Sequence, residues 1–336
     1  MAEMLRISAQ EMLDTFHSIL MNRGFEKEKA LLCAEIFTNN SVEGVYTHGV
    51  NRFSRFVSNV DSGHVKATHA PTLKHRFAGI EQWDGNLGPG PSNAVQATQS
   101  AMDLSSQYGI GCVALSNTNH WMRGGTYGWQ AARKGFVFIG WTNTIGNMSA
   151  WGATDFRLGN NPLVIAIPFQ NEAIVLDMAM SQYSFGAMEL AQMKKETLPV
   201  FAGYDIHGEL SKNPSAILES GRPLPIGFWK GAGLSLLLDI LSTILSGGWS
   251  TAEISKGAVE YGLSQVFVSI DIRRLGNQSA IPDLLQQIIH DYHNSVPQND
   301  QTKIVYPGER VLQTRKENLV NGIPVLKSVW EKIILM

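Results

Sequence analysis

The sequence has few of the features that mark several large classes of protein. Only two cysteines occur among 336 residues. Cys33 falls in a helical stripe and Cys112 in a strand-like run, a pattern typical of buried thiols rather than of disulfides. The 27 basic residues nearly balance the 29 acidic ones, and no block of like charge occurs. Nucleic acid and anionic membrane surfaces are therefore excluded as main partners.

Long apolar segments are also missing. The longest apolar run, residues 234–245, contains Asp239 and is too short to span a bilayer. The first eleven residues lack the apolar core of a signal peptide. We therefore expect a cytoplasmic protein without a membrane partner.

Three motifs that would identify common enzyme classes are absent. Gly231-Ala-Gly233 lacks the third glycine of a dinucleotide-binding Gly-x-Gly-x-x-Gly and follows no convincing strand. No His-Glu-x-x-His or other spacing of metal ligands occurs, and no Gly-x-Ser-x-Gly elbow. These absences argue against a Rossmann domain, a metal centre and a serine nucleophile.

The periodicity of apolar residues predicts an α+β protein, with a hydrophobic content of 44% that is ample for real cores. Helical patterns fill the first sixty residues, which we expect to be all-helical. Short strand-like runs begin near residue 72, mixed with helices but without regular alternation. We predict a helical domain over residues 1–70, packed with C-terminal helices within 281–336, and an α/β domain over residues 71–280.

The segment from Glu43 to Phe53 carries the clearest chemical pattern. An apolar stripe predicts a helix here, with Thr47 as its N-cap and Gly63 at its end. His48 and Arg52 would then share one helix face, so an acid/base group would stand beside a cation at a helix N-terminus. A 2-oxo or 2-hydroxy acid needs both features. On the local pattern alone, the favoured alternative is that His48 only caps the turn and Arg52 is solvated.

Polar residues at two predicted strand ends and one helix start are further candidates. His120 ends the cluster 117–120, while Thr142 and Asn143 follow another strand. His120 is either a second site histidine or, as its isolated context favours, a hydrogen-bonded core residue. Lys230 and Gly231 open a helix, which fits a phosphate cradle and an ordinary glycine-rich helix start equally well.

Several stretches together resemble the type 2 malate/L-lactate dehydrogenase family, which is unrelated to the Rossmann-fold lactate and malate dehydrogenases. They are Glu43-Gly-x-x-Thr-His-Gly-x-x-Arg52, Asn117-Thr-Asn-His120-Trp-Met-Arg-Gly-Gly125, Trp141-Thr-Asn143, Gly159-Asn-Asn-Pro162, Asp177-Met-Ala-Met-Ser181 and Trp229-Lys-Gly-Ala-Gly-Leu234. The resemblance covers nearly the whole chain.

The resemblance implies a homodimer that reduces 2-oxo acids or oxidises 2-hydroxy acids with NAD(P), using a non-Rossmann cofactor-binding fold. NADH is expected, with NADPH as the alternative. The family's catalytic histidine corresponds to His48, its substrate-side arginine to Arg52 and its second histidine to His120. The cofactor-binding residues that it implies are Thr142, Asn143, Ile174, Val175, Leu176, Asp177, Met178, Ala179, Met180, Ser181, Trp229, Lys230, Gly231, Gly308, Glu309 and Arg310. Residues 71–280 would bind the cofactor and form the dimer.

The resemblance favours a 2-oxo sugar acid as substrate. Malate, lactate, ureidoglycolate and sulfolactate types are the alternatives within the family. Two other classes stay open: a sugar-acid binding protein that has lost turnover, and a metal-dependent hydrolase or lyase acting on sugar acids.

Overall fold

The computed structural model describes residues 3–300 and 302–336. The N-terminal part contains β1 (Met4–Ile7), α1 (Ala9–Met21), α2 (Lys27–Val42), a 3₁₀ turn (Tyr46–His48) and α3 (Val50–Asp61). The next part contains β2 (Thr72–Phe77), β3 (Ile80–Asp84), α4 (Gly90–Tyr108), β4 (Ile110–Thr118), α5 (Gly125–Ala132), β5 (Phe136–Thr142), β6 (Met148–Ser149), β7 (Phe156–Leu158), β8 (Leu163–Phe169) and β9 (Glu172–Met178).

A smaller lobe and the C-terminal elements complete the fold. They are α6 (Phe185–Lys194), β10 (Gly203–Tyr204), β11 (Leu210–Ser211), α7 (Pro214–Ser220), α8 (Trp229–Ser246), α9 (Thr251–Ile254), β12 (Leu263–Asp271), two 3₁₀ turns (Ile272–Arg274 and Gln278–Ala280), α10 (Ile281–His293), α11 (Glu309–Asn321), β13 (Ile323–Leu326) and α12 (Lys327–Ile334). Among the residues described, no helix combines the length and apolarity that crossing a bilayer requires.

The centre of the fold is a mixed sheet with the strand order β2-β3-β4-β12-β5-β8-β9. In the described sheet only β3 and β4 run parallel, and every other neighbouring pair is antiparallel. This arrangement confirms the predicted α+β class and differs from the parallel sheet of a doubly wound fold. Strand β12 comes late in the sequence but lies between β4 and β5. It therefore lies between the two strand ends that carry the polar residues 117–120 and 142–143.

Helices cover both faces of the sheet. Helices α4 and α5 pack on one face around Phe138 and Phe267, both fully buried. Helix α8 packs on the other face over Trp141 and Val266. Both faces of β12 are therefore buried, and Ser264, Gln265 and Ser269 are among its buried residues.

The N-terminal helices enclose a separate aromatic core. Phe16 stacks on Phe53 with ring centroids 3.9 Å apart, and Phe37 meets Phe53 edge-on. Trp330 of α12 closes this core from the C-terminal end of the chain. Ser8 accepts a hydrogen bond from the backbone N–H of Glu11, as its capping pattern predicts.

Two expectations about the N-terminal part are wrong. The first sixty residues are not all helical, because β1 pairs antiparallel with β13 and Met4 lies opposite Leu326. A four-residue strand whose partner lies more than 300 residues away leaves no local periodicity. Thr47 is not the N-cap of α3, because the 3₁₀ turn occupies its position and Gly49 precedes the helix.

The C-terminal helices separate in space. Strand β13 and helix α12 pack on the N-terminal helices, whereas α10 is joined to the turn between β8 and β9 by a hydrogen bond between Gln286 and Gln170. The domain limits at residues 70 and 280 stay a prediction.

Candidate active site

The turn that carries His48 is held against helix α2 by several contacts. The Asn40 side-chain amide donates to the His48 carbonyl at 3.0 Å, and Ser41 Oγ accepts from the Val50 N–H at 2.8 Å. A Cβ at position 49 would collide with the Ser41 side chain, so only glycine allows this approach. The backbone of His48 is therefore fixed by the helix behind it.

His48 and His120 come together although 72 positions separate them. Their rings lie nearly parallel, with centroids 5.7 Å apart and an interplanar angle of 17°. His120 follows the end of β4, and its Nδ1 accepts a hydrogen bond from the Met122 N–H at 2.9 Å. A neutral ring with Nδ1 as acceptor carries its hydrogen on Nε2. His120 is therefore oriented as a hydrogen-bond donor through Nε2.

Both histidines are held in the neutral form. Burial lowers the pKa of His120 well below its ordinary value, and the charges of Arg52 and His48 add to this. Burial, Arg52 and Arg123 lower the pKa of His48 from 6.5 to about 4. An anion bound beside Arg52 would oppose these effects at His48. His120 cannot take a second proton without losing its bond to Met122, so His48 is the better proton carrier.

Arg52 faces an acidic residue that the sequence did not single out. Its guanidinium Nη2 lies 3.9 Å from a carboxylate oxygen of Glu260. The other Glu260 oxygen accepts from the Ile145 N–H at 3.2 Å. Glu260 lies in the loop before β12, more than 200 positions after Arg52, and no local pattern marks it.

A partly buried ionic cluster lies near His48, on which the charge of Arg123 acts. Arg123 forms an ion pair with Glu43, and Arg315 bridges Glu43 at 2.6 Å and Glu172 at 2.7 Å. The cluster joins the end of α2, the loop after β4, helix α11 and the start of β9. Glu43 and Arg123 both lie within the sequence motifs described above, but their pairing depends on the fold.

The middle of β9 meets the segment before α11. The Val175 N–H donates to the Pro307 carbonyl at 2.9 Å. Gly308 adopts φ +93°, and a Cβ there would press on the Val175 backbone. The Glu309 carboxylate accepts from the Tyr306 N–H and contacts His293, while Arg310 is exposed. The predicted segments 174–181 and 308–310 are thus brought together.

The chain beyond β9 meets the start of α8. The Met180 carbonyl accepts from the Ile226 N–H at 2.8 Å, and Ser181 forms a bridge to Pro225. Trp229 is 64% exposed, Lys230 is exposed, and Gly231 is packed on the Ile226 backbone. The segments 174–181 and 229–231 are therefore neighbours too.

These contacts bring three of the predicted cofactor-binding segments together along one edge of the sheet. Strand β9 is the last strand of the sheet. The Val175 N–H points away from β8, towards the outer side of the sheet edge. Because alternate residues of a strand point their backbone groups to the same side, the N–H and C=O of Asp177 also point outward. The N-terminus of α8, with Lys230, lies near the end of this strand.

Three of the predicted cofactor-binding side chains have other partners. The Asn143 amide donates to Asp239 and to the Trp249 carbonyl, and its oxygen accepts from the Ser264 N–H. Thr142 donates to backbone carbonyls, and Asp177 accepts from the Gly125 N–H at 2.7 Å. This geometry favours a structural role for these side chains, and their contact with a cofactor stays a prediction.

Across residues 3–300 and 302–336, no three histidine, cysteine, aspartate or glutamate side chains form a group that could hold a metal ion.

Residues 7–334 match the sequence profile described as Malate/L-lactate dehydrogenase. The chain is 41% identical over 330 residues to 2,3-diketo-L-gulonate reductase of Citrobacter koseri and 40% identical over 330 residues to that of Klebsiella pneumoniae. Each match covers 98% of this chain and 99% of the relative.

Solved structures of dehydrogenases share the fold. Malate dehydrogenase from Pyrococcus horikoshii OT3 is 26% identical with a TM-score of 0.88, over 99% of this chain and 95% of that chain. Malate dehydrogenase from Entamoeba histolytica has a TM-score of 0.92 at 22% identity, over 98% and 96% of the two chains.

The relatives are dehydrogenases and reductases, and the present chain is an oxidoreductase that acts on the CH–OH group of its donors. It belongs to the malate/L-lactate dehydrogenase family. This membership confirms the family that the sequence motifs indicated.

The low pKa of His48 predicts how stability depends on pH. The unfolded chain protonates this histidine near 6.5, whereas the folded protein does so at about 4. The unfolded state therefore binds more protons between these values, and stability falls as pH drops from 6.5 to 4. His48→Asn should make the free energy of unfolding, measured in urea, less dependent on pH in this range.

His290→Asn is the control for this measurement, because His290 is an exposed histidine on α10. The same pH slope in wild type and His48→Asn would contradict the neutral assignment of His48.

Proposed function

We propose that the protein is a cytoplasmic NAD(P)H-dependent reductase of a 2-oxo sugar acid, with 2,3-diketo-L-gulonate as its substrate. The observation that carries the proposal is the pair of parallel imidazoles beside Arg52. Identity of 40–41% over almost the whole length of reductases named for this substrate supports the choice.

Each of the three residues has a distinct role in this reaction. Arg52 pairs with the substrate carboxylate, for which its planar guanidinium is suited. His120 directs its Nε2–H to the oxygen of the 2-oxo group and stabilises negative charge that develops there. His48, protonated once the anionic substrate is bound, donates its proton to the same oxygen.

The edge of β9 supports the assignment of the cofactor-binding residues. Bound NAD(P)H supplies the hydride, with NADH as the expected form. Backbone groups of Ile174–Ser181 and the loop at Gly308 would hold it along the strand. Trp229, Lys230 and Gly231 would receive its phosphates, because a cation stands at the positive end of a helix dipole there.

A substrate panel tests the proposal. The protein would be offered 2,3-diketo-L-gulonate, oxaloacetate, pyruvate and sulfopyruvate with NADH or NADPH, and absorbance at 340 nm would be followed. Fastest oxidation of NADH with the sugar acid is expected. Faster turnover of another 2-oxo acid would assign the chain to a different member of the family. Ligand binding without oxidation of either cofactor would identify a binding protein.

We also propose a homodimer, formed through helix α8. A row of exposed apolar side chains follows this helix, and their exposure ranges from 38% to 64%: Leu236, Leu237, Ile240, Leu241 and Ile244. Such a surface is unusual for a monomer, and one row of this kind can pair with its own copy about a two-fold axis. Trp229 and Lys230 begin the same helix, so the interface would border the cofactor site.

Leu237→Glu should convert the dimer into monomers in analytical ultracentrifugation and reduce activity, since it places a charge in the interface. Val320→Glu is the matched control, because Val320 is 83% exposed on α11. A monomeric wild-type protein with full activity would contradict the proposed assembly.

His48→Asn should lower kcat for reduction by about 10²–10⁴-fold, because asparagine keeps a hydrogen-bond donor but cannot transfer a proton. The affinity for NADH should change little. The rates would be measured by stopped-flow at saturating substrate. Near wild-type turnover with an unchanged pH profile would make His48 structural and His120 the candidate acid.

Lys230→Ala should weaken NADH binding by about 1.5–3 kcal/mol, the usual value for a hydrogen bond to a charged group. Fluorescence titration would give the dissociation constants. Lys27→Ala is the matched control, because Lys27 is also an exposed lysine in the first turn of a helix. Equal NADH affinity in wild type and Lys230→Ala would remove the phosphate assignment.

A further inference from the structure

Glu260 occupies a position close to the reacting groups. Its side chain is only 9% exposed and lies 3.9 Å from Arg52. Its loop leads into β12, where Leu263 lies opposite Thr118 of β4. The strand end at Thr118 continues directly to His120, and Gln265 donates to the Asn119 carbonyl at 3.1 Å. The loop of Glu260 and the loop of His120 are therefore adjacent.

The distance between Arg52 and Glu260 leaves the cation available. At 3.9 Å the two groups attract each other, but the separation exceeds the 2.7–3.2 Å of a normal hydrogen bond. Arg52 can still direct two N–H groups to a substrate carboxylate. Glu260 uses one oxygen for the Ile145 N–H, so further lone pairs remain free to accept.

We propose that Glu260 determines the substrate class, favouring a 2-oxo acid with one carboxylate and a hydroxylated tail over a dicarboxylate. This inference rests on the proposed function, since it assumes that the substrate carboxylate meets Arg52. A second carboxylate close to Arg52 enters the field of Glu260 and is repelled. A hydroxyl group at the same place can donate to the Glu260 oxygens.

The charges around Arg52 allow a matched comparison. Arg55, Glu260 and Glu189 all act on Arg52 electrostatically. Glu189 is exposed on α6 and forms no ion pair with Arg52 in the described structure. Glu189→Gln changes the net charge by the same amount as Glu260→Gln. It leaves the Glu260 carboxylate in place beside the Arg52 guanidinium.

The test measures binding of two small anions that are not reduced. Oxamate carries one carboxylate and tartronate carries two. Their dissociation constants would be determined by calorimetry, with NADH present, for wild type, Glu260→Gln, Glu260→Asp and Glu189→Gln. Glu260→Gln should raise the affinity for tartronate relative to oxamate by roughly 10- to 100-fold, since a like charge is removed from a shielded site.

Glu260→Asp keeps the charge and should leave the ratio within about threefold of wild type, as should Glu189→Gln. An unchanged ratio in Glu260→Gln, or an equal change in Glu189→Gln, would overturn the proposal. Failure of oxamate to bind any form would also overturn it. Because the ligands are not turned over, this result is independent of whether the substrate panel detects reduction.

Discussion

The close approach of the His48 turn to helix α2 is the constraint on which the site depends. Gly49 allows the turn to touch Ser41, and Asn40 holds the His48 carbonyl. The Asn40 oxygen in turn accepts from Thr126 of α5 at 2.8 Å, so the same residue ties the N-terminal helices to the sheet. A catalytic group on a rigid turn needs little reorganisation when the substrate arrives. The stacked geometry with His120 follows from this fixed position.

The sheet supplies the other half of the site through its strand ends. Strand β12 lies between β4 and β5, and its preceding loop carries Glu260 to Arg52. The edge strand β9 leads from the ionic cluster at Glu172 towards the start of α8. The residues proposed to bind substrate and cofactor therefore lie on elements that are far apart in sequence but adjacent in space. The ionic cluster of Arg123 and Arg315 links the end of α2, the loop after β4, helix α11 and strand β9.

The sequence was informative where chemistry and structure are local. The helical patterns of the first sixty residues and the strand-like runs from residue 72 are short-range features, and they correspond to helices α1 and α2 and to strands β2 and β3. His48, by contrast, lies in the 3₁₀ turn before α3 and not on the helix face that its spacing from Arg52 predicted. Glu260 could not be found in this way, because its role depends on a contact between distant loops. The β1–β13 pair was missed for the same reason. Asn143 illustrates the converse, since a polar residue at a strand end was predicted to bind a ligand but has its hydrogen bonds within the protein.

The proposed reaction delivers a hydride to the 2-oxo carbon of a sugar acid that Arg52 holds beside His48 and His120. The most direct measurement uses NADH deuterated at both C4 positions, with the product analysed by NMR and mass spectrometry. The account predicts one deuterium on the carbon that bore the 2-oxo group and a slower single-turnover rate than with unlabelled NADH. A product without deuterium at that carbon, or no product at all, would contradict it.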